Sequence, residues 1–284
     1  MANLKIIRKR IVSVRSTQQI TKAMKMVAAA KLRRAQGAVV QSRAYGQKLR
    51  EVVAGLASEP SLREHRLVRA RTPESRVLLI LLTADRGLCG GFNANLIRQS
   101  EGFIGREGAT PSLVIVGRKG FDFYKKRSTP IREHYLGIAG RPLIEVAREI
   151  VARAVTLFVD DEVDAVYLLY SQFRSAISQV PTIERLLPIE TPAETEGGRE
   201  YLFEPSREAV IEDLLPRYVE VKVFQALLES IASEHGARMT AMESATSNAS
   251  DMIERLTLEM NRARQATITK ELMEIVGGAE ALKG

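Results

Sequence analysis

The sequence has no tryptophan, one cysteine and three histidines in 284 residues. A single thiol, Cys89, cannot close an internal disulfide, and one Cys with His65, His134 and His235 scattered along the chain gives no zinc-site spacing. Long apolar runs are missing too. The strongest, Val77–Leu82, has six residues, against the ~20 that a membrane-spanning helix needs. The basic start MANLKIIRKR is followed by no apolar stretch and no small-residue cleavage site, so it does not read as a secretion signal. A cytosol-facing chain is expected. Apolar residues at 45 % and charged residues at 27 % match globular usage, which excludes a disordered chain.

Residues 1–60 are nearly devoid of acids. They hold thirteen Lys/Arg against Glu51 and Glu59, whereas the remaining 224 residues hold 29 Lys/Arg against 32 Asp/Glu. The net charge of +8 therefore lies wholly at the N-terminus. Such a block points to a polyanionic partner: nucleic acid, anionic lipid or an acidic protein surface. Aromatic residues are absent from 1–44, so no base-stacking platform interleaves the basic side chains.

Glycine and proline are also absent from Ala2 to Gln36, and good helix formers dominate there. Leu4, Ile7, Ile11 and Val14 follow a 3-4-3 spacing, and the apolar stripe resumes, shifted, at Ile20, Met24 and Val27. The pattern predicts one helix of about 50 residues, about 75 Å long. From Arg217 to Val276 the only breaker is Gly236, so a second long helix of up to about 60 residues is expected, with Pro216 at its start or at a kink and Gly277-Gly278 as its C-cap. Met242, Ala245, Ala249, Met252 and Leu256, continued by Ala263, Ala266 and Met273, form its stripe. Neither helix can bury its stripe on a domain of about 130 residues, so an antiparallel coiled coil of the two is the expected solution.

The middle of the chain reads differently. Val77–Thr83, Leu113–Val116 and Ala165–Tyr170 predict buried strands, and Asn93–Ile104, Arg118–Lys126 and Pro142–Val159 predict helices between them, with Pro142 at the first helical position. This alternation predicts a largely parallel sheet covered by helices on both faces. Residues 188–200 read as a Pro/Gly/Glu-rich loop. The expected division is a helix over 1–58, an α/β domain over 75–200 and a second helix over 206–284.

Four stretches carry a resemblance: IVSVRSTQQITKAMKMVAAAK over Ile11–Lys31, DRGLCGGFN over Asp85–Asn93, SEHGARMTAM over Ser233–Met242 and NRARQATITKE over Asn261–Glu271. In these, and in their order along the whole chain, the sequence resembles the gamma subunit of rotary ATP synthase of the bacterial type. The resemblance implies a fold: paired terminal helices forming a shaft and a central Rossmann-like α/β foot. It implies a role, the non-catalytic rotor of the proton-translocating enzyme, and a place, peripheral on the cytoplasmic face of the cell membrane. The implied partners are the ring of alpha and beta subunits around the shaft, and the epsilon subunit and c-ring at the foot. Lys9, Met24, Lys25, Arg264, Gln265 and Thr267 are implied contacts with the ring; Tyr201 and Glu204 are implied contacts with epsilon and the c-ring. No catalytic residue, cofactor or metal is implied.

Two other classes compete. The glycine-rich turn Asp85–Asn93 lies between a strand and a helix, where phosphates bind, but G-x-x-G-G matches neither the dinucleotide fingerprint nor a P-loop. A nucleotide-using enzyme would also leave about 110 helical residues without a purpose. A nucleic-acid binder would use the basic helix, yet no recognised module accompanies it.

Overall fold

The computed structural model describes residues 2–57, 59–105, 109–190, 203–204 and 206–281. The chain divides into two compact units, Met1–Val27 with Met239–Gly284, and Ala28–Arg238. Two helices run through both: α1 (Ala2–Gly55) and α6 (Arg207–Ala281). The larger unit adds α2 (Pro60–Glu64), β1 (Arg76–Leu82), α3 (Phe92–Ile104), β2 (Thr110–Val116), α4 (Arg118–Tyr124), β3 (Ile131–Tyr135), α5 (Leu143–Val159), β4 (Ala165–Ser175) and β5 (Ser178–Leu187).

The strands form one sheet in the order β3-β2-β1-β4-β5. β1 pairs in parallel with β2 and β4, β2 pairs in parallel with β3, and β5 returns antiparallel to β4. Alternate residues feed two cores. Leu78, Ile80, Leu82, Val166 and Leu168 pack with α5 and with Leu49, Val53, Leu215 and Val219 of the two long helices. Val77, Leu79, Leu81 and Leu113 pack with Phe92, Leu96 and Tyr124 from α3 and α4. Burial on both faces explains why β1 is a continuous apolar run and not an alternating one.

The expected helices and the three expected strands are present, with several differences. β3 and β5 are additional strands, and β4 extends to Ser175. Pro142 is the N-cap of α5, with ψ at 115°, and not its first helical residue. α6 begins ten residues before Arg217 and holds Pro216 inside it, where the missing N–H leaves the Glu212 carbonyl without its helical donor. It also continues through Gly277-Gly278. A glycine costs a helix about 1 kcal/mol relative to alanine, so a pair weakens the last turns without ending them.

The stripe on α1 does not shift. Inward positions keep one 3-4 spacing through Leu4, Ile7, Ile11, Val14, Gln18, Thr21, Lys25, Ala28 and Leu32, and on to Leu49 and Val53. Ile20 and Val27 are each 57 % exposed. Polar side chains hold the inward positions there because α6 offers them polar partners. In the smaller unit, Gln18 Nε2 donates to Ser250 Oγ at 2.7 Å, the Thr21 and Thr246 hydroxyls share a hydrogen bond of 2.8 Å, and Lys25 Nζ meets Glu243 Oε1 at 2.6 Å. Partners that fall on α1 as they rise on α6 define an antiparallel pair. On α6 the inward positions of this unit are Met242, Thr246, Ala249, Ile253, Leu256, Met260, Ala263 and Thr267. Met252, Ala266 and Met273, expected in that stripe, are exposed. From Ile268 to Gly278 every residue is exposed.

Within the larger unit the two helices are antiparallel as well. Arg43 pairs with Glu229, Gln225 Nε2 donates to the Ser42 carbonyl at 2.6 Å, and Arg207 at the start of α6 pairs with Glu59, just beyond the end of α1. Gly46 lies directly against the Gln225 side chain, in space that a Cβ would fill.

Candidate functional site

The turn after β1 is built to hold itself. Asp85 Oδ1 accepts from the Arg118 and Gly137 amides at 3.0 and 3.1 Å, Asn93 Oδ1 accepts from the Ala84 amide at 2.9 Å, and Thr83 Oγ1 accepts from the Gly120 amide at 2.9 Å. A phosphate cradle at the end of a strand needs such N–H groups unspent. Here the Thr83, Asp85 and Asn93 side chains already take the amides of Ala84, Arg118, Gly120 and Gly137 around the turn. Leu88 and Gly90 take left-handed φ values of 60° and 56°, which turns Leu88 outward and Cys89 inward. The buried thiol accepts from Asn93 Nδ2 at 3.2 Å, and burial pushes its pKa above the ordinary thiol value. Cys89 is thus a packed residue of a tight turn.

The same turn receives α6. Arg238 donates to the Gly87 carbonyl at 3.2 Å and pairs with Glu234 at 2.6 Å, the two side chains being 12 % and 19 % exposed. His235 beside them is held down at about 4, mainly by desolvation and further by the Arg238 and Lys31 cations. Lys31 ends the first sequence motif, Gly87 lies in the second, and Glu234, His235 and Arg238 lie in the third. Three stretches far apart in sequence therefore meet at one junction.

One turn earlier, α6 and α1 close the edge of β4. β1 pairs with β4 only as far as Leu169, so the strand beyond has no neighbour on that side. The Ser233 hydroxyl donates to the Ser171 carbonyl at 2.9 Å, and the Phe173 amide donates to Glu229 Oε2 at 3.2 Å. Arg43 donates to the Phe173 carbonyl at 2.7 Å and to Glu229 Oε1 at 2.9 Å. Glu229, Ser233 and Ser171 are buried. Gly236 follows, where a Cβ would stand 3.2 Å from the Ala176 carbonyl at the tip of the β4–β5 hairpin. A glycine is what lets the helix approach that backbone so closely. Sequence reading marked the Ser233–Met242 stretch but gave it to the shaft alone. It missed Arg43 and Glu229, which no local pattern distinguishes from other charged residues of a helix.

The smaller unit holds most of the implied ring contacts. Between Asn3 and Val27, α1 carries seven Lys/Arg and no acid. Lys9 is exposed, Met24 is half-buried, and Lys25 is the one member of that basic set with an ion-pair partner among the described residues. Arg264 and Gln265 are exposed on α6, and the Thr267 hydroxyl donates to the Ala263 carbonyl at 2.9 Å. The antiparallel register sets Met24 level with Glu243. Some twenty residues of helix, about 30 Å, separate it from Arg264, which lies level with the beginning of α1. Glu204 is exposed, and Tyr201 lies outside the described residues.

A family model described as ATP synthase matches residues 3–282. The ATP synthase gamma chain of Moorella thermoacetica is 52 % identical over 283 residues, with both chains covered in full. That of a Geobacter species is 51 % identical over 289 residues, also with full coverage of both. Among solved structures, a chain from the central stalk and c-ring of Tetrahymena thermophila mitochondrial ATP synthase is 28 % identical, with a TM-score of 0.60 over 80 % of this chain and 99 % of that one. A chain of the Euglena gracilis mitochondrial ATP synthase shares the fold, with a TM-score of 0.72 over 99 % of this chain and 95 % of that one at 22 % identity. The match runs from end to end and takes in all four sequence motifs, so this chain belongs to the ATP synthase gamma chain family.

Proposed function

We propose that this chain is the central rotor shaft of an ATP synthase, a non-catalytic subunit that couples ion flow through the membrane sector to ATP chemistry at the alpha–beta ring. The observation that carries the reading is the full-length match to gamma chains at about half identity. The nucleotide-enzyme and nucleic-acid readings fall away with it. One charge crossing about 100 mV supplies only about 2.3 kcal/mol, so several ion steps must be summed before ATP chemistry is driven. A stiff helical pair sums them mechanically, and its asymmetric faces meet successive ring subunits differently, which biases each toward a different state.

In this reading the paired helices, 1–58 and 206–284, enter the ring, and the 75–200 domain forms the foot. Lys9, Met24, Lys25, Arg264, Gln265 and Thr267 touch alpha and beta; Tyr201 and Glu204 face epsilon and the c-ring. The basic arm of α1 suits acidic ring surface. The exposed Ile268, Leu272, Met273, Ile275 and Val276 at the end of α6 suit an apolar sleeve. The subunit is peripheral, on the cytoplasmic face of the bacterial membrane. No helix among the described residues is long and apolar enough to cross a membrane.

Co-expression with the alpha and beta subunits of a close relative tests the reading. A stable complex that hydrolyses ATP is expected, with no turnover by the purified chain alone. Hydrolysis by the isolated chain, or failure to co-purify with either subunit, rejects it.

A further inference from the structure

We propose that the hydrogen-bonded edge of β4 is the joint that makes the sheet and the two long helices of the larger unit turn as one body, with Arg43, Glu229 and Ser233 as its positioning residues. The inference rests on the rotor reading above and names where torque passes within the subunit.

The apolar core between the sheet and the helices holds them together, but the hydrophobic effect behind it is non-directional. Hydrogen bonds are directional and weaken steeply when bent. The bonds that fix the helices to the sheet are concentrated here. Ser233 takes the Ser171 carbonyl, while Glu229 and Arg43 take the amide and the carbonyl of Phe173. Together they do what a neighbouring strand would do, but from two helices at once, so neither helix can rotate or slide without breaking a bond to β4.

The chemistry of the pair supports this. A carboxylate as buried as that of Glu229 is costly to desolvate, and an apolar residue of similar size is often as stabilising at such a position. What an apolar residue cannot do is set the angle of α6 and α1 against one strand. The Arg43–Glu229 pair spends its bonds on Phe173 and on itself, an arrangement that defines orientation.

The test uses assembled complexes carrying Glu229→Leu, Ser233→Ala or Arg43→Lys, reconstituted in sealed vesicles. ATP hydrolysis is measured with the membrane made leaky, and the ion gradient sustained by ATP is measured with it sealed. Hydrolysis is expected to stay within about twofold of wild type, because a lost buried hydrogen bond acts locally and the catalytic sites lie on other subunits. The sustained gradient is expected to fall below about half for Glu229→Leu, less for Ser233→Ala, and least for Arg43→Lys, which keeps a cation for Glu229. The melting temperature of each purified variant is the control, since a role in stability alone would lower it and leave the gradient per ATP hydrolysed unchanged. Wild-type gradients at wild-type hydrolysis in both Glu229→Leu and Ser233→Ala would overturn the joint. If Glu229→Leu does not assemble, Ser233→Ala decides by the same readout. Failure of the wild-type complex to build a gradient counts against the rotor reading instead.

Discussion

His235 offers a direct test of the motif junction. The ring is half-buried on α6, with the Arg238 and Lys31 cations near it, and its pKa is held down from 6.5 to about 4. A folded state that refuses a proton the unfolded chain accepts loses stability as pH falls. The contribution is complete above 6.5 and is lost progressively down to about 4. At full weight the shift corresponds to about 3 kcal/mol. The ring is partly exposed and solvent screens its cationic neighbours, so about 1 kcal/mol is expected between pH 7.5 and pH 5. His235→Gln removes the titration and keeps a polar side chain. Urea unfolding of both proteins at several pH values isolates the effect, because the two differ only at residue 235. The wild type is expected to lose about 1 kcal/mol more than the variant on going to pH 5. A difference that does not change with pH, or a His235 ring proton resonance titrating near 6.5, would refute the account of the junction as a desolvated cationic site.

Four further outcomes are expected. Leu32→Ala opens a cavity in the α1 seam and should cost about 3 kcal/mol by denaturant unfolding, since Leu32 is buried. Gly117→Ala should cost about 2 kcal/mol or more by the same measurement, because φ is 92° and the new methyl group meets the Thr83 carbonyl. Cys89 should react with a maleimide far more slowly in the native protein than in urea, as befits a buried thiol of raised pKa; equal rates would place it at the surface. A double-mutant cycle of Lys25→Met and Glu243→Gln should give a coupling below about 1 kcal/mol, because Lys25 is partly and Glu243 largely exposed to screening solvent.

The sequence showed most clearly those parts whose residues carry their own period. β1, with both faces buried, is an unbroken apolar run, and α5 is strongly amphipathic, so both were visible. β3 was not, because Ile131–Tyr135 sets Arg132, Glu133 and His134 in a row between its two end residues, and charge of this kind is common on outer strands. β5 was hidden by Pro181, which a central strand would not tolerate and an outer strand does. The apparent shift of the α1 stripe came from following apolarity alone. Where Gln18, Thr21 and Lys25 face inward, the neighbouring Ile20 and Val27 are the apolar residues, and they point out. The end of α6 was misplaced because a glycine pair is a strong stop signal only when a left-handed cap follows it. At the candidate site the motifs were legible as stretches, but their meeting was not. The contacts of Arg238 with Gly87, and of Arg43 and Glu229 with Phe173, span 56 to 151 residues and have no local signature.

The two outer strands carry a consequence for a subunit made in excess of its partners. A bare sheet edge is a template on which another chain can add a strand and begin aggregating. One edge of this sheet is β3, short and studded with charge; the other is β5, interrupted by Pro181, which offers no N–H to an incoming strand. The part of β4 that β1 leaves uncovered is closed by the helices. These features discourage cross-β growth from the sheet edges of an orphan copy waiting for its complex, and the exposed apolar side chains near the end of α6 are the surface left open to misassembly.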